Sequence, residues 1–86
     1  MACGYILIAV EPTAELEVYG ALLKIESITE VCPVLGAVDF IAKVKMDTYD
    51  DIATLVIRRI RVIPGVTSTK TFVEDEFLKH MQAMVE

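Results

Sequence analysis

Tyr5-Ile6-Leu7-Ile8-Ala9-Val10 is an unbroken apolar run close to the start of an 86-residue chain. Side chains alternate between the two faces of a strand, so a strand built from this run is apolar on both faces, as expected at the centre of a sheet. The run is far shorter than the roughly 20 residues of a membrane-spanning helix. It also follows Met1-Ala2-Cys3-Gly4 without the basic residues of a secretory signal, so we expect a cytoplasmic domain with no membrane contact.

The residues after this strand predict a helix and then an edge strand. Glu11-Pro12 ends the first strand, and Thr13 is expected to act as the N-cap of a helix that continues to about Glu26. The run Val31 to Leu35 is a second strand. Because Pro33 cannot donate to a neighbouring strand, this second strand is expected at an edge of the sheet.

The second half of the chain repeats this order. Phe40 to Met46 alternates as a third strand, with Phe40, Ala42 and Val44 assigned to the helix-covered face. Asp47 or Thr48 is expected to cap a second helix that Pro64-Gly65 ends. The β-branched run Thr67 to Glu74 is a fourth strand.

The predicted order is βαββαβ, followed by a short C-terminal helix. Ile28-Thr29-Glu30-Val31 leads into the second strand much as Ile63-Pro64-Gly65-Val66 leads into the fourth, so the chain has two similar halves. We therefore predict an α+β, ferredoxin-like sandwich with an antiparallel sheet in the order 4-1-3-2. Residues 1–86 form a single domain in this prediction, with a core of 4–74 and a tail helix of 75–86.

The apolar content of the chain predicts a partner subunit. Hydrophobic residues make up 55% of the sequence, a high fraction for a small domain. Because a domain of this size buries only about 60% of the surface of its unfolded chain, some of its apolar surface stays exposed in a monomer. Both helices would cover one face of the sheet, which leaves the second apolar face of the first strand exposed. We expect a homodimer that packs sheet on sheet, in the manner of dimeric α/β barrels, and then forms a higher oligomer.

The charge balance disfavours nucleic acid as a direct partner. A net charge of −5 repels phosphate backbones and supplies no counterion release. The one basic cluster consists of Arg58, Arg59 and Arg61, which fall in a helical pattern. We interpret the cluster as a solvated helix face or as a source of ion pairs between subunits.

No residue pattern indicates catalysis, a metal or a cofactor. Cys3 and Cys32 would lie two strand spacings apart, about 9 to 10 Å, and are expected to be free and buried thiols. His80 has no nucleophile near it in the sequence and is expected at the surface. Glu74-Asp75-Glu76 is expected to be the solvated first turn of the tail helix, and the glycines are too scattered for a phosphate loop.

Two motifs in the second half of the chain resemble a known family. The first is Val34-Leu35-Gly36-Ala37-Val38-Asp39-Phe40-Ile41-Ala42-Lys43-Val44, and the second is Ile63-Pro64-Gly65-Val66-Thr67-Ser68-Thr69-Lys70-Thr71. Their order and spacing resemble the effector-binding domain of the leucine-responsive and asparagine-responsive (Lrp/AsnC) regulators, also called the RAM domain. The resemblance covers nearly the whole chain.

This resemblance implies that the domain binds a small effector, usually a free amino acid, in clefts where dimers meet in a ring. The implied effector-binding residues are Gly36, Val38, Asp39, Thr69 and Thr71. Asp39 would receive the ammonium group and the threonine hydroxyls would donate to the carboxylate. Members of the family often have an aromatic residue where this chain has Val38.

Regulators of this family usually carry a DNA-reading helix-turn-helix before the domain, and this chain begins at the first strand. The expectation is a regulatory module without its own DNA-binding domain, acting with a full-length Lrp/AsnC regulator. Two other functions stay open: a small dimeric ferredoxin-like enzyme of the monooxygenase or isomerase type, and a pure oligomerisation module. For Asp39 the alternative is a hairpin turn in which the carboxylate accepts from loop amides.

Overall fold

The computed structural model describes residues 1–85, except for the side chain of residue 83. Strands and helices follow one another in the predicted order, and the second helix continues into one π-helical turn at Val56–Ile60. The elements are β1 (Ala2–Val10), α1 (Glu15–Leu23), β2 (Ile28–Pro33), β3 (Phe40–Met46), α2 (Tyr49–Leu55), β4 (Val66–Val73) and α3 (Glu76–Val85). None of the helices within residues 1–85 is both long and apolar enough to span a bilayer.

The four strands form one antiparallel sheet in the order β2-β3-β1-β4. This is the predicted order read from the opposite edge, so the ferredoxin-like prediction is confirmed. β1 lies between β3 and β4, which explains why Tyr5 to Val10 carries no charged residue. Pro33 is the last residue of the edge strand β2, where its missing donor is tolerated.

One face of the sheet carries the hydrophobic core. Ile6 and Ile8 of β1 are fully buried on this face beside Phe40, Ala42 and Val44 of β3, which confirms the face predicted for the third strand. The helices contribute the other buried side chains of the core, among them Val18, Leu22, Ile52, Leu55 and Ile60. The burial of so many branched aliphatic side chains is the main favourable term for folding.

The opposite face of the sheet, here called the open face, has no helix packed over it. Tyr5, Leu7 and Ile41 point to this face and are only half-buried, and Phe72 of β4 is 54% exposed. Helix α3 also leaves its apolar side chains in solvent, since Phe77 is 70% exposed. The described chain therefore has apolar surface in two places that its own core does not use.

The start of α1 differs from the prediction. Thr13 is not the N-cap, because Ala14 occupies that position without any side-chain hydrogen bond and Thr13 has a φ of 75°. The amide of Ala14 donates to the carbonyl of Glu11 over 3.1 Å. Pro12 and Thr13 are thus the central residues of a tight turn with the dihedral pattern of type II. The turn requires the left-handed conformation of Thr13 and prevents its hydroxyl from capping the helix.

The second strand and one cysteine also differ from their predictions. β2 begins at Ile28 and ends at Pro33, earlier than the predicted Val31 to Leu35. Cys32 pairs with Ile41 and is exposed, so the prediction of a buried thiol is wrong for Cys32 and right for Cys3. Both thiols are free, as predicted. The error at Cys32 arises because an edge strand on the open face has no layer above it.

The beginning and end of the second helical segment are close to the prediction. Thr48 is the N-cap of α2, and its hydroxyl accepts from the amide of Asp51 over 3.1 Å. After the π-helical turn the chain reverses at Pro64-Gly65, where Gly65 has a φ of 101°. A Cβ atom on Gly65 would lie 2.7 Å from the Cβ of Ala14, so the turn packs against the start of α1 as only glycine allows.

Candidate functional site

The turn between β2 and β3 carries three of the predicted effector-binding residues. Gly36 has a φ of 148° and lies in an exposed loop, with Val38 and Asp39 half-buried beside it. The amide of Val34 donates to the carbonyl of Asp39, and the amide of Asp39 donates to the carbonyl of Ile8, each over 2.9 Å. Asp39 is therefore held by backbone contacts at the end of β1.

The carboxylate of Asp39 makes a further contact with β1. Its Oδ2 accepts a hydrogen bond from the amide of Val10 over 2.8 Å. The pairing of β1 with β3 ends at Ile8 and Phe40, so the amide of Val10 has no strand carbonyl on this side and the side chain takes that place. The other oxygen, Oδ1, has no hydrogen-bond partner within residues 1–85.

A second polar feature lies where the π-helical turn faces β4. A cavity of about 440 Å³ is lined by Arg61, Val66, Thr67, Ser68 and Thr69. The Nε of Arg61 donates to the Oγ1 of Thr69 over 3.0 Å. The cavity thus combines one guanidinium with three hydroxyl groups. We call it the Arg61 cavity.

An apolar groove adjoins the Arg61 cavity and shares Arg61 with it. The groove has a volume of about 160 Å³ and runs between the second helical segment and β4. Ile52, Val56 and Ile57 line the helical side, while Thr71 and Val73 line the strand side. Arg61 therefore lies between a polar compartment and an apolar one.

The predicted site residues fall into two groups within one protomer. Thr69 and Thr71 pair with Ile8 and Ile6, so both threonines lie on the helix-covered side of β4. Asp39 is on the other side of β1, two strands from β4, a separation of about 9 to 10 Å. Asp39 lines neither the Arg61 cavity nor the groove. The structure brings the two threonines together and leaves the Gly36 to Asp39 turn apart from them.

Arg61 was assigned from the sequence to a solvated cluster, and its position beside Thr69 was not predicted. All three arginines are exposed, as the solvated-face interpretation has it, with Arg58 and Arg59 on the π-helical turn and Arg61 directly after it. Arg61 has in addition a hydrogen bond to Thr69, because the chain reverses at Pro64-Gly65 and returns as β4. The one available signal was the Pro-Gly pair between a basic residue and a run of Thr and Ser.

A third polar cluster joins the open face to α3. The hydroxyl of Tyr5 donates to Glu74 over 3.1 Å, and the ammonium of Lys79 contacts the other carboxylate oxygen at 2.9 Å. The hydrogen bond from Lys79, followed by that from Tyr5, lowers the pKa of Glu74. The bond to Glu74 raises the pKa of Tyr5, and that of Lys79 is raised for the same reason. This cluster positions the start of α3, where Asp75 accepts from the amide of Leu78 over 3.0 Å.

Comparison with known proteins places this arrangement in a family. The sequence profile described as "Lrp/AsnC ligand binding domain" matches residues 3–84. The chain therefore belongs to the Lrp/AsnC ligand-binding domain family, a family of regulatory domains. No curated protein matches the chain.

Solved structures resemble the chain over most of its length. FFRP-DM1 is 31% identical, with a TM-score of 0.83 over 87% of this chain and 100% of that one. The hypothetical protein PHS023 from Pyrococcus horikoshii is 30% identical, with a TM-score of 0.80 over 95% and 96%. The transcriptional regulator NMB0573 from Neisseria meningitidis, solved as a complex with L-Met, is 11% identical, with a TM-score of 0.79 over 96% of this chain and 58% of the regulator. At that identity the regulator shares the fold.

Proposed function

We propose that this domain is an amino-acid-binding regulatory module, which works in the cytoplasm by binding an effector and not by catalysis. The observation that carries the proposal is a hydroxyl-lined cavity at Thr67, Ser68 and Thr69 in a member of the Lrp/AsnC ligand-binding domain family. The Neisseria regulator of the same fold was solved with L-Met, which supports the choice of an amino acid as the ligand.

The effector site that we propose lies between protomers. A zwitterion needs an anion for its ammonium and donors for its carboxylate, since either charge is costly to bury unpaired. The turn with Gly36, Val38 and Asp39 supplies the anion through the unpartnered Oδ1 of Asp39. Thr69 and Thr71 supply the hydroxyls, but within one protomer they lie about 9 to 10 Å from Asp39, across β1. In the proposed site the turn of one protomer and β4 of its neighbour therefore enclose one ligand together.

Oligomerisation is the second part of the proposal. Tyr5, Leu7 and Ile41 give the open face an apolar centre that a second copy would cover sheet on sheet, and dimers would then associate to form the effector clefts. Sedimentation at micromolar concentration should detect a dimer or a larger species. A species of 9.5 kDa alone would contradict this part of the proposal.

We further propose that the domain acts on gene expression through a partner, by co-assembling with a full-length Lrp/AsnC regulator. The net charge of −5 opposes direct DNA binding by this chain. A gel-shift experiment at low salt should therefore detect no retardation of duplex DNA. Retardation that disappears as salt is added would contradict the proposal and would point to Arg58, Arg59 and Arg61 as a DNA-binding patch.

Ligand binding is tested most directly by a thermal-shift screen of the twenty amino acids. A ligand at 100 times its Kd stabilises the native state by about 2.7 kcal/mol, which raises the melting temperature of a domain this small by roughly 10 °C or more. We expect one amino acid or a few related ones to give such a shift. A screen in which none does so would leave the domain as an oligomerisation module and would overturn the proposed function.

A further inference from the structure

Arg61 carries a charge that the described chain does not balance. The one ion pair within residues 1–85 joins Lys79 to Glu74, so no carboxylate of these residues neutralises the guanidinium of Arg61. Its single hydrogen bond is to the hydroxyl of Thr69, through Nε. This bond orients the guanidinium plane and leaves both terminal amino groups as donors, the geometry that binds a carboxylate through two parallel hydrogen bonds.

The surroundings of Arg61 suit a ligand with two chemically different ends. Thr67, Ser68 and Thr69 surround the polar side, and their hydroxyl hydrogens can add to the donors of the guanidinium. On the other side the groove presents Ile57, which is 57% exposed and lies beside the buried Ile52 and Val56, and this apolar wall suits an aliphatic group. A molecule whose carboxylate contacts Arg61 can therefore extend an apolar side chain along the second helical segment.

We propose that Arg61 is the carboxylate-binding residue of the effector site and that the groove selects amino acids with an apolar side chain. This inference rests on the proposed function and specifies its ligand. Asp39 of a neighbouring protomer receives the ammonium, Arg61 receives the carboxylate, and the groove receives the side chain. The preferred ligand class is then the aliphatic amino acids and methionine, in preference to the charged or amide-bearing ones.

The first experiment compares two substitutions in the same helical segment. Arg61→Gln removes the charge and keeps a shorter, uncharged hydrogen-bonding side chain, and Arg58→Gln is the matched control on another exposed arginine. Both variants are titrated calorimetrically with the amino acid that gives the largest thermal shift. Because a charge-assisted bidentate contact is lost, Arg61→Gln should weaken binding by about ten- to thirtyfold. Arg58→Gln should stay within about twofold, the scatter of an uninvolved surface residue.

The second experiment changes the ligand in place of the protein. The α-carboxamide of the same amino acid keeps the ammonium and the side chain but lacks the carboxylate. The wild-type protein should bind the carboxamide about as weakly as Arg61→Gln binds the acid. Arg61→Gln should bind the acid and the carboxamide with similar affinity, because the contact between Arg61 and the carboxylate is already lost in this variant.

Each outcome has a defined meaning. Unchanged affinity of Arg61→Gln for the acid, or full discrimination between acid and carboxamide by this variant, overturns the role of Arg61 and leaves amino-acid binding intact. A preference for charged or amide-bearing amino acids overturns the role of the groove. If no amino acid binds the wild-type protein, the proposed function fails and this inference fails with it. Equal melting temperatures of the ligand-free variants establish that each variant is folded.

Discussion

Asp39 and Arg61 lie at the same end of the sheet, on opposite sides of β1, and they are held in different ways. The carboxylate of Asp39 accepts from the amide of Val10, and its backbone is bonded to both Ile8 and Val34. The backbone of Arg61 is bonded to Val56, but its guanidinium is held only by the hydroxyl of Thr69 and faces a cavity of about 440 Å³. Asp39 completes the hydrogen bonding of the sheet, whereas Arg61 is oriented but not neutralised.

This difference means that Asp39 contributes to the stability of the fold, whereas Arg61 is available to bind a ligand. A polar group that satisfies a backbone amide contributes to folding whether or not a ligand exists, because an unsatisfied amide is costly. A guanidinium held by one hydroxyl contributes little to folding, and most of its interaction energy stays available for a ligand. Substitutions in the Asp39 turn should therefore change stability first, and substitutions in the Arg61 cavity should change affinity first.

The largest effect on stability is expected from substitution of a glycine beside one of the two regions, Gly65 near Arg61 or Gly36 near Asp39. Gly65→Ala should lower the free energy of unfolding by about 3 kcal/mol, because overpacking costs about 1 to 3 kcal/mol and a left-handed non-glycine residue about 1 to 2. Gly36→Ala is the matched comparison, since its Cβ would meet nothing within 4 Å and only the backbone term remains. Urea denaturation measures both. Equal losses for the two variants would contradict the close packing of Gly65 against Ala14.

The next largest effect is expected at Asp39. Asp39→Ala leaves the amide of Val10 without an acceptor and should cost about 1 to 3 kcal/mol of stability. Asp39→Asn keeps a side-chain oxygen for that amide and should cost much less, while it weakens ligand binding by about tenfold if Oδ1 receives the ammonium. Arg61→Ala should change stability by less than about 0.5 kcal/mol. A larger stability loss for Arg61→Ala than for Asp39→Ala would reverse the comparison.

The sheet could be predicted from the sequence because its signals are local. The uncharged run Tyr5 to Val10 identified the central strand, Pro33 identified an edge, and the alternation from Phe40 to Val44 identified the buried face. Each of these patterns reflects burial along a single strand. Together with the rules for connections between strands, they determine the order of the sheet.

The residues that were not predicted correctly are one in a local turn and two whose surroundings depend on how other segments fold. Thr13 has the composition of an N-cap, but the turn that starts at Glu11 and Pro12 makes it left-handed. Cys32 is apolar in the sequence and exposed in the fold, because its face of an edge strand has no cover. The contact of Arg61 with Thr69 depends on the chain reversal at Gly65. Residue type alone does not report these three environments.

A smaller effect is expected at Thr69, on the strand side of the Arg61 cavity. Thr69→Val keeps the β-branched shape and removes the hydroxyl that orients Arg61. Because the donor is a charged guanidinium, losing this hydrogen bond costs about 1.5 kcal/mol, or roughly tenfold in affinity. The control is Thr54→Val on the exposed side of α2, where affinity should not change. Calorimetric titration distinguishes the two variants, and equal affinities for both would exclude the Thr69 hydroxyl from the site.

The smallest effect on stability is expected at Glu74, a half-buried carboxylate whose oxygens are hydrogen-bonded by Lys79 and Tyr5. The pKa of Glu74 lies below its ordinary value of 4.5, first because of Lys79 and then because of Tyr5. A lowered folded-state pKa means that the stabilisation is present above pH 4.5 and is lost as the pH falls through the folded-state value. Because the side chain of Lys79 is 61% exposed, the ion pair is screened by water and salt, and the melting temperature should change little over this range.

The position of the Glu74 titration is the sharper measurement. Carbon-13 NMR of the side-chain carboxyl should give a midpoint below 4.5 in the wild-type protein. Lys79→Met removes the largest cause of the shift and should move the midpoint upward, and Tyr5→Phe should move it upward by less. A midpoint that is unchanged in Lys79→Met would mean that the contact between Lys79 and Glu74 at 2.9 Å is not maintained in solution. The start of α3 would then be held by the remaining hydrogen bonds, which run from Tyr5 to the Glu74 carboxylate, from Tyr49 to the Glu74 carbonyl and from the Leu78 amide to Asp75.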